Sequence, residues 1–498
     1  MADKNVSTDM RTSADILEKL RKLQARREKE IVKWEKEKAK ATLPGYMAYF
    51  LLIICVVYIG DEVVTQLGGQ MQSIIASELF APIVGADFAV ARMSALSSLA
   101  MIASALAFLY KPLCDKYGRR LFLVLNTLGM GVGSIFVSLA TNIPVYLIGT
   151  AFTAFFTPHD MQAIYIQECA PAKYRASIYS TIKAIATLGM FMIPVLRSVF
   201  IPGTDLSGWR YVYLVPGVVT VVAAVAAFFL IKESDAFVDN RLRQLKMTDE
   251  EIAAAKEKKN DSQAQGGLIK SLKLAWRNKQ IRWLIISYGF IMWGMLVNSY
   301  YESTMTYGYA QQFLDQGMDI EAAKAAATSF VTQALMLFSV GSALFQFFPG
   351  FLADKLGRKK TAIIMSASVL GTFLLYFIGA NNNWNPYIVG FFCGACIGSY
   401  WYTGDLMGLM ISESTPTNLR ASMLAVQPMV SGTPFLLAAA HSSVIFNARF
   451  TALFCIITAD ALGSGTIATL AVPLAITVAS VSLSATNSNL TSLSASSP

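Results

Sequence analysis

The sequence predicts an all-α membrane protein with twelve transmembrane helices in two pseudo-symmetric six-helix bundles. Of its 498 residues, 54% are hydrophobic and 15% are charged, and the mean hydropathy is +0.48. Charged residues make up about a quarter of ordinary soluble proteins, so this composition indicates a membrane protein. A second observation is a repeat of Asp, Glu, Pro and Arg at identical spacing, offset by 245 residues. Such a repeat indicates a duplicated half.

Twelve windows have the length and apolar character of a membrane span, which takes roughly 20 residues of helix. They fall six and six about one polar segment. The windows are 45–66, 88–110, 121–141, 144–166, 174–197, 209–231, 281–304, 326–349, 361–379, 385–411, 420–446 and 450–476. The expected domains are a charged segment at 1–44, a bundle at 45–231, a linker at 232–280, a bundle at 281–480 and a disordered Ser-rich tail at 481–498.

The basic residues predict the topology. Of 41 Lys and Arg residues, 35 fall in segments that share one side if every window crosses the membrane. The other side holds Arg197, Arg210, Lys324 and Arg449. By the positive-inside rule, both termini are cytoplasmic in a multi-pass plasma-membrane protein. Topology therefore explains the net charge of +9, and the expected partner is the lipid bilayer, with no nucleic acid.

The first 44 residues mix Lys, Arg and Glu with sparse apolar positions. This pattern favours a solvated helix over a docked one. An alternative is a helix that rests on anionic headgroups through Trp34 and its lysines.

The sequence shows no sign of enzymatic activity. Cys393 and Cys396 have a CxxC spacing, but they lie in an apolar window without another Cys or His nearby, so they are expected to be packing residues. Because no nucleophile, metal or cofactor constellation is visible, we expect no enzyme, no metal and no cofactor.

Ionisable residues within the spans are candidates for function, since charges in lipid are costly and usually face a cavity or a partner. Asp160 lies eight residues before Glu168, or roughly 12 Å along a helix, which places it near the midplane. Asp405 has the same depth in the second half, and Lys183 reaches a similar level. Glu62 and Glu302 repeat at an offset of 240.

A proton site is one interpretation of these residues, because burial disfavours the charged form of a carboxylate. Asp160 or Asp61 would bind the driving proton, and Lys183 would hold an anionic substrate group. The alternative is a static ion pair between Asp160 and Lys183. His159 adjoins Asp160 and is either a tuning or a packing residue.

Aromatic residues cluster in the seventh and tenth windows. Tyr301 and Trp401 are candidates for stacking on a sugar or aromatic ring. Tyr307 and Tyr309 fit an interfacial belt better.

Two short loops carry a family resemblance. The chain has Asp115, Gly118, Arg119 and Arg120 in one loop and Asp354, Gly357 and Arg358 in the other, offset by 239. This pair resembles the signature of the major facilitator superfamily of transporters. The repeats Glu168, Pro171, Arg175 and Glu413, Pro416, Arg420 look like the cytoplasmic motifs of its sugar-porter and metabolite:proton symporter branch. Lys232, Glu233 and Ser234 resemble a degenerate Pro-Glu-Ser-Pro-Arg motif of sugar porters.

The resemblance implies a secondary active transporter, expected to be a monomer, that moves a small polar metabolite such as an organic acid or a sugar by proton symport. In that fold the first, fourth, seventh and tenth helices line a central cavity. The cavity residues are then Asp61, Glu62, Asp160, Lys183, Tyr301, Glu302, Trp401 and Asp405. The cytoplasmic gate residues are Asp115, Gly118, Arg119, Arg120, Glu168, Arg175, Asp354, Gly357, Arg358, Glu413 and Arg420.

The chain also departs from the family pattern. No Arg occurs around Leu147–Phe152, where many proton-coupled members have one, and the seventh window lacks the paired glutamines of typical sugar porters. The substrate therefore stays open. A non-transporting sensor with a transporter fold and a proton antiporter that exports its substrate are the alternatives.

Overall fold

The computed structural model describes residues 24–39, 46–97, 117–157, 175–202, 205–247, 273–292, 295–382 and 384–414, with single residues 18, 21, 22, 100, 103, 106 and 251. Within these ranges the chain is almost entirely helical and forms no strand. The helices after the amino-terminal one (24–38) are Tyr46–Gln70, Gln72–Val84, Ala86–Ser97, Arg119–Ser138, Ile143–Phe156, Arg175–Gly189, Met192–Phe200, Trp209–Leu230, Asp235–Lys246, Lys279–Met292, Met295–Asp315, Ile320–Leu356, Arg358–Asn381 and Pro386–Glu413.

Six of the described helices are long and apolar enough to cross a membrane. They are Tyr49–Gln70, Arg119–Ser138, Ser177–Phe200, Trp209–Leu230, Ile320–Leu356 and Arg358–Asn381. The first ten predicted windows all contain described helix, whereas windows 420–446 and 450–476 and the tail lie outside the described residues.

The eighth window shows why a span predicted from hydropathy is shorter than the helix that contains it. The window 326–349 lies inside helix Ile320–Leu356, whose ends carry Glu321, Lys324, Asp354 and Lys355. Charged residues at the ends of a helix lower the average hydropathy without interrupting the backbone hydrogen bonds. The helix therefore extends beyond its apolar part at both ends.

The apolar cores form separately in the two halves, here called the amino half (46–231) and the carboxy half (273–414). One core joins Phe50 and Leu123, and a second, around Trp209, also lies wholly in the amino half. A third joins Phe338 and Cys393 and takes a single residue, Met190, from the amino half. The described halves thus share little apolar core with each other.

Close packing in the carboxy half depends on glycine. Helix Pro386–Glu413 runs against helix Ile320–Leu356, and a Cβ at Gly394 would overlap the carbonyl oxygen of Phe338. Gly390 and Gly398, four residues away on either side, face carbonyl oxygens of the same helix in the same way. Small residues at such spacing let two helix backbones approach closely in lipid.

Replacing Gly394 with Ala should therefore destabilise the protein, by about 1–3 kcal/mol as expected for an overpacked core. The thermal midpoint of the purified protein in a mild detergent would measure it. Gly371→Ala is the matched control, because a Cβ there meets nothing within 4 Å and Ala favours a helix interior by about 0.5–1 kcal/mol. Equal midpoints for the two variants would contradict the packing argument.

The amino-terminal helix is docked, which differs from the solvated helix favoured by the sequence. Trp34 is only 6% exposed and packs with Phe237, Val238 and Leu242. These residues lie on helix Asp235–Lys246, about 200 positions along the chain. Inspection of residues 1–44 alone could not reveal this apolar partner.

Candidate functional site

The fifth-span helices, Arg175–Gly189 and Met192–Phe200, connect the two halves through polar side chains. Each contact joins a residue of the amino half to one of the carboxy half. In order along the span the pairs are Ser177 with Asp354 at 2.9 Å, Lys183 with Asp405, Thr187 with Gln346 at 3.0 Å, and Arg197 with Glu302 at 3.0 Å. Polar side chains thus bridge the two halves at four levels of this span.

Lys183 forms the first of two ion pairs on this span. Its ammonium group contacts Oδ2 of Asp405, and the two side chains are 12% and 40% exposed. Glu62, which is buried on the first span, interacts electrostatically with both groups. The Tyr179 ring lies 6.0 Å from the ammonium nitrogen. Asp405 is therefore the described partner of Lys183, and the hypothesis of an Asp160–Lys183 pair stays a prediction because Asp160 lies outside the described residues.

Asp61 lies next to Glu62 in sequence but faces another helix. It is fully buried, and its Oδ2 accepts a hydrogen bond from Oγ1 of Thr127 at 2.9 Å. Thr127 belongs to helix Arg119–Ser138, so this contact stays within the amino half. The two adjacent carboxylates thus have different surroundings.

Arg197 and Glu302 form the second ion pair, and both side chains are almost completely buried, with exposures of 1% and 0%. The carboxylate also accepts hydrogen bonds from Ser73, at 2.9 Å from the backbone nitrogen and 2.6 Å from Oγ. Arg197 donates in addition to the carbonyl oxygen of Gln70. Gln70 ends the first-span helix, Ser73 lies on the next helix, Gln72–Val84, and the ion pair joins the fifth and seventh spans. The cluster therefore joins the halves.

Sequence reasoning missed Arg197. It counted this residue only as one of the four cations on the sparsely charged side. The available signal was an Arg at the edge of an apolar window, since such a residue in lipid usually has a buried partner. Glu302, which the sequence places on the cavity, is buried between the halves against Arg197.

The aromatic candidates Tyr301, Trp401 and Tyr309 all pack in or against the apolar core of the carboxy half. Tyr301 is 2% exposed, and its ring stacks on Phe338 with centroids 4.7 Å apart. Trp401 is half-buried and packs against the same core. Tyr309 is also buried, with its ring 4.0 Å from that of Phe330. Phe338 therefore covers one ring face of Tyr301, and stacking of a substrate on Tyr301 or Trp401 stays a prediction.

The loop at Gly118 is organised by Glu233. The carboxylate accepts hydrogen bonds from the backbone nitrogens of Arg119 at 2.8 Å and of Arg120 at 3.1 Å. It thereby caps the amino terminus of helix Arg119–Ser138, where anions are favoured. Gly118 has φ +113°, and a Cβ there would overlap Glu233. The segment Lys232, Glu233 and Ser234, which resembles a degenerate sugar-porter motif, thus fixes the position of the first basic loop through Glu233.

The pH dependence of stability should report on this cap. Burial raises the pKa of the Glu233 carboxyl above its usual 4.5, and hydrogen bonds from the backbone of Arg120, Ser234 and Arg119 offset part of the rise. A raised pKa means that folding favours the neutral acid. The contribution of Glu233 to stability is therefore fully present below pH 4.5 and is lost as pH rises through the folded-state pKa. Glu233→Gln should remove this fall.

Thermal midpoints of the wild type and the variant between pH 4.5 and 7.5 would measure the effect, with a difference of about a few degrees or less. Asp235→Asn is the control, since Asp235 is exposed beside Lys232 and outside the cap. A wild-type pH profile that persists in Glu233→Gln would refute the assignment.

The second basic loop has a simpler geometry. Gly357 has φ +82° between helices Ile320–Leu356 and Arg358–Asn381, and Asp354 accepts the hydrogen bond from Ser177. Arg358 is exposed. Five of the remaining predicted positions lie outside the described residues: Asp115, His159, Asp160, Glu168 and Arg420. For Arg175 and Glu413, which end helices, the structure describes the backbone and not the side chain.

Metal-binding clusters of three or more His, Cys, Asp or Glu side chains do not occur among the described residues. Cys396 donates from Sγ to the carbonyl oxygen of Val369 at 3.5 Å, and both Cys393 and Cys396 are buried free thiols. The CxxC pair is thus part of the helix packing in the carboxy half.

Comparisons with known proteins identify relatives of this chain. The family model of the Major Facilitator Superfamily matches residues 51–439. The chain is 22% identical over 363 residues to the glucose transporter GlcP of Staphylococcus epidermidis, covering 68% of this chain and 76% of that protein. It is 24% identical over 324 residues to the cis,cis-muconate transport protein of Acinetobacter baylyi, covering 62% and 68%.

Solved structures share the fold. A crystal structure of a D-xylose-proton symporter superimposes with a TM-score of 0.51 at 16% identity, covering 86% of this chain and 96% of that one. The xylose transporter XylE from E. coli, in a partially occluded inward open conformation, gives 0.55 at 15% identity, covering 84% and 97%.

Proposed function

Because this chain belongs to the major facilitator superfamily and is a transporter of small polar metabolites, we propose that it carries a neutral polyhydroxy compound of the sugar class together with protons into the cytoplasm. The basic loops would lie at the cytoplasmic end, by the positive-inside rule. The plasma membrane would then have both termini on its inner side, and the protein would work as a monomer.

The observation that supports alternating access is that the two halves have separate apolar cores and meet through polar contacts. Halves that shared one large apolar core would resist relative motion, whereas a polar interface between domains permits it. Water can replace the partners of Ser177, Thr187 and Asp354 when the halves separate. Each half keeps its own core during that motion.

The two ion pairs lie at different levels of the pathway. Lys183 and Arg197 are fourteen residues apart on the fifth span, or roughly 21 Å along a helix. Lys183 lies nearer the basic loops and Arg197 nearer the opposite end. One pair could therefore break while the other holds, which opens a central site to one side at a time.

The charged groups around Lys183, whose ion pair lies nearer the basic loops, support a neutral substrate. Glu62 and Asp405 provide two carboxylates against the single ammonium group of Lys183, and that ammonium group already contacts Asp405. A substrate carboxylate placed here would have to compete with Asp405 for the only cation described at this level. The glucose and D-xylose transporters among the relatives fit this class better than the muconate transporter does.

Proton coupling would act through the same carboxylates. Protonation of Asp405 removes its charge and so weakens its attraction to Lys183, which frees the halves to separate at this level. Asp61, buried against Thr127, and Asp160 remain the other candidates for the driving proton.

Uptake into proteoliposomes tests the function. With an alkaline interior, radiolabelled glucose, xylose or inositol should accumulate above its outside concentration, and a protonophore should abolish the accumulation. Accumulation of muconate alone would move the substrate class to organic acids. Accumulation only with an acidic interior would indicate an antiporter, and absence of both uptake and exchange for all these compounds would favour a sensor.

A further inference from the structure

The docked amino-terminal helix has a fixed orientation. Trp34 meets Phe237 edge-to-face with ring centroids 5.4 Å apart, and Ile31 packs on the same cluster. Arg27 donates to the carbonyl oxygens of Leu245 and Met247. Ion pairs join Glu30 to Arg241, Glu35 to Lys246 and Lys38 to Asp239 at distances of 2.6–2.7 Å. The helix therefore cannot rotate freely about its axis.

A stripe of five cations runs along another face of this helix. Their spacings of four, three, four and three residues keep them on one side of a helix, since 3.6 residues make a turn. The stripe consists of Lys22, Arg26, Lys29, Lys33 and Lys36, all of them exposed. On a helical wheel their centre lies about 150° from the centre of the docked residues. Docking thus presents the five charges together, away from the rest of the protein.

The chain keeps this stripe close to the membrane. The helix ends at residue 38 and the first span begins at Tyr46. The seven intervening residues span at most about 25 Å when fully extended. The nearest extended surface of negative charge is then the headgroup layer of the cytoplasmic leaflet, given the proposed topology.

We propose that this stripe is a binding surface for anionic phospholipid headgroups. Clusters of four to eight Lys or Arg beside a transmembrane helix typically recognise such lipids. Within the described residues the stripe carries one ion pair, Lys22 with Glu18, and one cation–π contact, with the Lys33 ammonium 4.8 Å from the centre of the Trp34 ring. Because Lys33 is still exposed, most of the charge of the stripe is available to a ligand. The acidic residues Glu30 and Glu37 point instead to the docked side, where they meet Arg241 and Arg120.

The docked side gives this surface a mechanical link to the first basic loop. The Trp34 ring approaches Gly118, and Glu37 lies 3.9 Å from a guanidinium nitrogen of Arg120. A lipid that holds the helix at the headgroups would therefore also steady the loop that Glu233 caps.

Binding of short-chain lipid to the purified full chain tests the proposal. In a non-ionic detergent at low salt, dioctanoyl phosphatidylglycerol should bind at least about tenfold more tightly than dioctanoyl phosphatidylcholine. Replacing the five stripe residues with Gln should remove that preference, and high salt should weaken it in the wild type. Free glycerol 3-phosphate distinguishes a lipid site from a general phosphate site. If it bound as tightly as dioctanoyl phosphatidylglycerol, the site would be a phosphate site and the lipid assignment would be overturned.

Two matched variants complete the experiment. Lys22→Arg, Lys29→Arg, Lys33→Arg and Lys36→Arg together keep the charge and should bind as the wild type does, whether or not the Gln variant folds. The control removes five exposed cations elsewhere, at Lys273, Arg277, Lys279, Lys359 and Lys360, and should keep the preference. An equal loss in this control, or full binding by a folded Gln variant, would overturn the proposal.

Discussion

Replacing Lys183 with Met should abolish coupled uptake, with a loss of about 100-fold or more in initial rate. The change leaves Glu62 and Asp405 facing each other without the cation that contacts Asp405. Removing one partner of a buried ion pair leaves the other charge without compensation, which lowers the free energy of unfolding by about 3–5 kcal/mol for fully buried pairs. The loss should be smaller here, because Asp405 is 40% exposed. Initial uptake with an imposed pH gradient is the measurement.

A double variant separates a coupling role from a structural one. Lys183→Met with Asp405→Asn removes both charges of the pair, so folding and exchange should recover relative to Lys183→Met alone. Accumulation against a gradient should stay lost, because no charge remains for the proton to neutralise at Asp405. If the double variant accumulated substrate as the wild type does, the pair would be structural only.

Removing the Glu302 carboxylate should have the largest effect on stability. Glu302→Ala leaves the Arg197 guanidinium charged in a site where its side chain is 1% exposed. The expected cost is about 3–5 kcal/mol, seen as a lower thermal midpoint and a lower yield of folded protein. Glu302→Gln should be milder, because its amide oxygen can still accept from Ser73 and Arg197.

The same pair should control access from the end opposite the basic loops. A cysteine at Gly69, whose Cβ would lie 3.7 Å from the carbonyl oxygen of Asn298 in the other half, reports on this opening. A membrane-impermeant maleimide should label it faster in the folded double variant Arg197→Gln, Glu302→Gln than in the parent.

Glu78→Gln provides the matched control for that labelling. Glu78 pairs with Arg210 at 2.6 Å, but both residues belong to the amino half and are about one quarter exposed. Its loss should leave labelling at position 69 unchanged. If both variants increased labelling equally, ion-pair loss would loosen the amino half generally and the closure assigned to Arg197 would fail.

The candidate site was only partly visible in the sequence. Lys183 and Asp405 emerged as midplane residues because a charge inside an apolar window is conspicuous. Their pairing did not emerge, since depth along a helix says nothing about which side of the helix faces which neighbour. Arg197 was missed because a window-edge Arg also fits an interfacial anchor, and only its contact with Glu302 distinguishes the two.

The sequence by itself determined the membrane class, the family and the two-fold repeat, because hydropathy and spacing are properties of the linear chain. It also located the basic loops and most charged residues within the spans. Only the tertiary structure decided the partners: Asp405 for Lys183, Glu302 for Arg197, Glu233 for the Gly118 loop, and helix Asp235–Lys246 for Trp34. Each of these contacts joins residues more than 100 positions apart. Helix rotation and packing determine such contacts, and local sequence patterns do not encode them.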